Sequence, residues 1–126
     1  MDKVTTVARI LLGLLFLVFG LNGFLHFIPA PPPPGVAGQF LGAIFASHFY
    51  IVVFLTQILG GLLLLANRYV PMGLLLLGPV VVNILAFHIF MDPAGLPAAV
   101  VAAALWFVVF LRVRSAFSSV FARVVA

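Results

Sequence analysis

The chain has 126 residues, of which 66% are hydrophobic and 6% charged, with a formal net charge of +4. A soluble domain carries about a quarter charged residues, so this composition excludes a water-covered globule and points to one all-α membrane domain over residues 1–126. Cysteine is absent, which excludes disulfides and thiolate chemistry within the chain; the basic residues are too scattered for the contiguous patch that nucleic acid requires.

Residues 10–28 form the first apolar run, close to the roughly 20 that a helix needs to cross about 30 Å of hydrocarbon. The run ends in Pro29 and the tetrad Pro31 to Pro34. A secretory signal would have a shorter core and a small-residue cleavage site, so this segment is expected to be a retained span. The prolines lack amide donors and favour polyproline II, which predicts a stiff connector released at Gly35. Over residues 36–47, Val36, Phe40, Leu41, Ile44 and Phe45 recur near a helical period, as in a short helix lying in the outer interface.

The second span is expected over residues 48–66, ending at Asn67-Arg68-Tyr69, and the third over 70–90. Pro79 within the third should kink it and leave the Leu75 carbonyl without its amide partner. Residues 91–95, Met-Asp-Pro-Ala-Gly, have the composition of a turn. The fourth span, 96–111, is alanine-rich and barely long enough, with Arg112 placed to snorkel. Beyond it, over 113–125, Phe117, Val120, Phe121 and Val124 fall at i, i+3, i+4 and i+7, the stripe of a basic amphipathic tail on the membrane surface.

Lys3, Arg9, Arg68, Arg112, Arg114 and Arg123 all fall on one side of this four-span arrangement. The positive-inside rule makes that side the cytoplasm, with both termini inside. The small residues Gly13, Gly20, Gly23, Gly60, Gly61, Gly73 and Gly78, and the alanines of the fourth span, are expected where helix backbones approach, in a compact bundle or a homo-oligomer.

Two sets of polar residues are candidates for chemistry. Asn22, Gln57 and Asn83 fall about 9 to 14 Å below the outer interface by helix rise, and are expected to face the interior, as packing hydrogen bonds or as the lining of a pocket for a polar headgroup such as a quinone carbonyl. His26, His48, His88 and Asp92 lie at the outer ends of the spans. They read as interfacial residues, as a proton relay at an outer quinone site, or as ligands for zinc, copper or iron. No pair has the spacing of a helical metal motif, which argues against the metal. His88 and Asp92, at i and i+4, form the best-placed couple, because a carboxylate one turn away favours the imidazolium. No catalytic triad, phosphate loop or nucleotide fingerprint is present.

The segments ARILLGLLFLVFGLNGFLHFIP from Ala8 to Pro29 and QILGGLLLLANRYVPMGLLLLGPVVVNILAFHIFMD from Gln57 to Asp92, followed by a short helical tail, resemble the DoxX family of small bacterial membrane proteins. The resemblance implies a four-helix protein of the bacterial cytoplasmic membrane, related to the small subunit of a thiosulfate:quinone oxidoreductase and to membrane partners of thiol-redox and oxidative-stress enzymes. It carries over to Asn22, His26, Asn83 and His88 as a possible quinone pocket, with Gln57, His48 and Asp92 nearby. Family members often have an acidic residue where this chain has Gln57, so a proton-carrying carboxylate does not transfer. With no flavin fingerprint, the chain is expected to work through a redox protein partner. A scaffold without a ligand is the alternative, and a small-solute carrier a weaker one, because no charge lies in mid-membrane.

Overall fold

A computed structural model describes residues 1–125. The chain folds as five α-helices, α1 (Lys3–Leu25), α2 (Gly35–Ala46), α3 (Tyr50–Ala66), α4 (Val70–Phe90) and α5 (Leu96–Val113), with 3-10 turns at Pro93–Gly95 and Arg114–Phe121. No strand occurs among the described residues. Lys3–Leu25, Val70–Phe90 and the stretch Pro93–Phe121 are long and apolar enough to cross a membrane, and α3, bent by 88° from α2, completes a fourth apolar stretch with it.

Local chemistry sets the ends of α1. The Asp2 carboxylate accepts the Thr5 amide hydrogen at 2.7 Å, a side-chain cap on the otherwise unpaired first turn. Hydrogen bonds from the Thr5 side chain and backbone hold the Asp2 carboxyl below the usual aspartate range. The helix therefore starts at Lys3 instead of residue 10, and Arg9 lies inside it. It stops at Leu25 instead of residue 28, because His26 turns left-handed (φ 52°) and the Asn22 side-chain oxygen accepts the Ile28 amide at 2.8 Å.

Helices α1, α3, α4 and α5 form a closed ring in which each packs against two neighbours. Leu12, Phe16, Leu64, Leu74, Leu77 and Val109 are fully buried at its centre. The Gly60-Gly61 pair lets α3 be approached closely from two sides. A Cβ on Gly61 would stand 2.8 Å from the Gly13 carbonyl oxygen and 2.9 Å from the Leu17 nitrogen on α1, and one on Gly60 would meet Leu77 of α4 at 2.6 Å. Neighbouring helices run antiparallel, so the N-terminal end of α1 lies with the C-terminal ends of α3 and α5. Lys3, Arg9, Arg68, Arg112 and Arg114 are thereby gathered at one end of the ring, and His26, His48, His88 and Asp92 at the other.

Arg9 departs furthest from expectation. It is 7% exposed, and its Nη1 donates to the carbonyls of Leu64 and, at 3.4 Å, Leu65. Both carbonyls belong to the last turn of α3, where Leu64 also accepts the Asn67 amide at 3.2 Å and the helix dipole favours a cation. At Pro79, α4 continues as helix. Trp106 of α5 donates its indole N–H to the Leu74 carbonyl at 3.0 Å, one residue from the carbonyl whose partner the proline removes. The tail, expected as an amphipathic stripe, takes the form of a 3-10 helix over Arg114–Phe121 in which Phe117 alone is buried, 5.2 Å from the Phe110 ring, while Val120, Phe121 and Val124 are exposed. Ser115, Ser118 and Ser119 favour such a turn, since their hydroxyls compete for backbone partners.

Candidate functional site

The end of the ring that holds the histidines is roofed by the Pro-rich connector and α2. Gly38 lacks the Cβ that would collide with the Pro33 carbonyl, so the first turn of α2 sits directly on the connector. Aromatic contacts hold the roof down. Phe40 of α2 stacks on Phe87 of α4, with centroids 5.7 Å apart, and Phe45 stacks on Tyr50 at 5.1 Å and meets Phe54 of α3 at 5.9 Å.

Between the connector and α2 is an open cleft of about 350 Å³ with Pro32 and Pro33 on the connector, Leu41, Gly42 and Phe45 on α2, and the exposed His26 lining it. The His26 ring lies 5.5 Å from Phe45. Nothing lies within 4 Å of a Cβ placed on Gly42, so that position opens into free space. The walls are apolar and partly flat, and one imidazole offers a donor or an acceptor. Such a cleft suits a planar, mostly apolar ring with a single polar substituent.

The expected site residues divide into those near the cleft and those away from it. His26 lines the cleft, and Asn22 lies one turn below, half-buried, with its side-chain oxygen occupied by the Ile28 amide. His48 is exposed at the corner between α2 and α3, left-handed at φ 66°, with its ring 6.1 Å from Tyr50. His26 and His48 thus share the Phe45–Tyr50 cluster. His88 stands apart from the cleft, with its ring edge-on to Phe87 at 5.0 Å. Its Nδ1 lies 3.0 Å from the Asp92 carbonyl oxygen and 3.9 Å from the carboxylate. A carbonyl only accepts, so Nδ1 carries the hydrogen and His88 ties down the turn into α5.

The amides do not form an inward-facing layer. Gln57 is 5% exposed, but Asn83 is on the outer surface of α4, where its Nδ2 donates to the Pro79 carbonyl at 2.8 Å. That bond runs along the helix, toward the turn that the proline weakens. Among the described residues no three histidine or acidic side chains lie close enough to hold a metal ion. The aromatic cluster of Phe24, Phe45, Tyr50 and Phe54 was not among the expected site residues. Its signal is the crowding of aromatics at the outer ends of the runs, the usual mark of a membrane interface.

No family model, curated protein or solved structure matches the chain.

Proposed function

We propose that the chain is a DoxX-like subunit of a bacterial cytoplasmic membrane that crosses the bilayer four times with both termini inside and holds a quinone headgroup in the cleft between the Pro-rich connector and α2. The supporting observation is the cleft itself: apolar walls from Pro33, Leu41 and Phe45 with the His26 imidazole at the edge. A quinone supplies two-electron carrier chemistry when bound, and its flat headgroup, with a carbonyl at each of two opposite edges, would lie between the apolar walls with one carbonyl toward His26. His26 would hold a carbonyl oxygen through a ring N–H, and the free amide N–H groups of Asn22 lie one turn below. Asn83 and His88, on other faces of α4, have no part in this arrangement. With no cysteine in the sequence and no flavin fingerprint, the electron supply is assigned to a redox protein partner, and the subunit's work is to bind, orient and keep the headgroup near the outer surface.

The topology rests on the gathering of the cations at one end of the ring, which the positive-inside rule places in the cytoplasm. One observation favours a second reading, a scaffold without a ligand: Asn22, Asn83 and His88 each have a local structural bond. The two readings separate in protein purified gently from native membranes with its partners. Quinone extracted with the wild type and lost in Gly42→Phe, which fills open space in the cleft, and in His26→Ala establishes the site. No quinone in the wild type, with partners still attached, establishes the scaffold.

A further inference from the structure

The opposite end of the ring carries a second concavity, unrelated to the cleft. Between the first turns of α1 and the last turns of α5 runs a groove of about 410 Å³, walled by Val4, Val7, Ala8 and Leu11 on one side and Leu105 and Val108 on the other, with Lys3 at its mouth. From Leu11 to Lys3 it extends about 12 Å along α1 at the rise of a helix. Its walls are wholly hydrocarbon, and it lies on the flank of two helices that are apolar enough to cross a membrane.

Its mouth is cationic. Arg112 follows Val108 by one turn on α5 and bears on Asp2 electrostatically, which places it beside the start of α1. Lys3, Arg112 and Arg114 are all exposed there. The acidic group facing them is Asp2, already engaged by Thr5. An apolar slot that ends in two or three exposed cations complements a molecule with a hydrocarbon chain and an anionic head.

We propose that the groove between α1 and α5 binds an anionic phospholipid of the cytoplasmic leaflet, one acyl chain between Val7 and Val108 and the phosphate between Lys3 and Arg112. The inference rests on the membrane topology proposed above and is independent of the quinone. It makes the cations at this end a lipid site as well as a topological signal.

The test uses the full chain in detergent, with phosphatidylglycerol or phosphatidylcholine added and adducts counted by native mass spectrometry. Wild type is expected to retain phosphatidylglycerol in preference. At about 1 kcal/mol for each basic residue near a membrane surface, Lys3→Gln should weaken that binding about fivefold and Lys3→Gln with Arg112→Gln about 30-fold, with phosphatidylcholine unaffected. Val7→Trp, at an exposed position, should fill the groove and reduce both lipids. Equal binding of the two lipids by wild type, undiminished phosphatidylglycerol in the double variant, or a dimer that Val7→Trp dissolves would overturn the proposal. Carbonate extraction of the native membranes tests insertion and a C-terminal reporter fusion tests orientation, so failure of the topology is distinguishable from failure of the site.

Discussion

Arg9 is a cation enclosed by apolar helices and hydrogen-bonded by backbone carbonyls alone. Its Nη1 reaches Leu64 and Leu65, 55 and 56 positions away in the chain, and its Nε has no partner. Hydrogen bonds to charged groups contribute about 1.5–3 kcal/mol, and Arg9→Leu should cost roughly that in stability, measured by thermal unfolding in detergent. Arg9→Lys, with one compact ammonium in place of a planar fork, should recover part of it. A pair of substitutions at His48 addresses backbone strain. Its φ of 66° is uncongenial to β-branched side chains, so His48→Gly should be neutral or stabilising and His48→Val destabilising by about 1–2 kcal/mol in the same assay. If His48→Val melts like wild type, the left-handed corner is not strained.

Between elements, the contact of α1 with α3 depends on backbone meeting backbone at Gly61 and Gly13. Gly61→Val puts three carbons where a carbonyl and an amide already stand, and should cost about 1–3 kcal/mol by forcing the two helices apart. The α4–α5 contact is tied by Trp106 to the Leu74 carbonyl. Trp106→Phe keeps most of the ring but loses that bond, and its effect should be small, about 0.6 kcal/mol and at most about 1.7. At the start of α1, the lowered Asp2 carboxyl gives a pH dependence of fixed sign. The cap contributes fully above the ordinary aspartate range and is lost as pH falls through the lower folded value, so Asp2→Asn should flatten the acid limb of amide exchange in the first turn.

At the scale of the molecule, reporter fusions after Arg68 and at the C-terminus should both read cytoplasmic, and one after Gly35 external; a periplasmic C-terminus defeats the proposed topology. The helices were legible in the sequence where their ends are chemically marked. Residues 70–90 emerge unchanged because a polar turn precedes them and Asp92-Pro93 follows. The start of α1 was not, since Lys3 and Arg9 read as flanking charges, although Asp2 is itself an N-cap residue type. The burial of Arg9 was hidden, because its partners are carbonyls of a distant turn that no side chain advertises. The candidate site was legible to the end of the ring, not to the residue. The inner face of α4 is Val70, Gly73, Leu74, Leu77 and Val81, and Asn83, two residues past Val81, is about 200° around the helix. Because α4 is apolar on every side, periodicity does not mark which face turns inward, and Asn83 and His88 could not be separated from the cleft in advance.

The Arg9 docking also bears on how the chain enters a membrane during synthesis. Arg9 lies about 9 Å along α1 from its first residue, and the carbonyls that satisfy it belong to the end of α3, which leaves the ribosome more than 50 residues later. A first segment inserted by itself would carry an unsatisfied guanidinium, an unfavourable burden for a translocon partitioning helices singly. Entry as a hairpin removes that burden. The α1 and α3 segments would partition together, with the uncharged connector and α2 crossing between them and Arg9 finding its carbonyls as the pair closes.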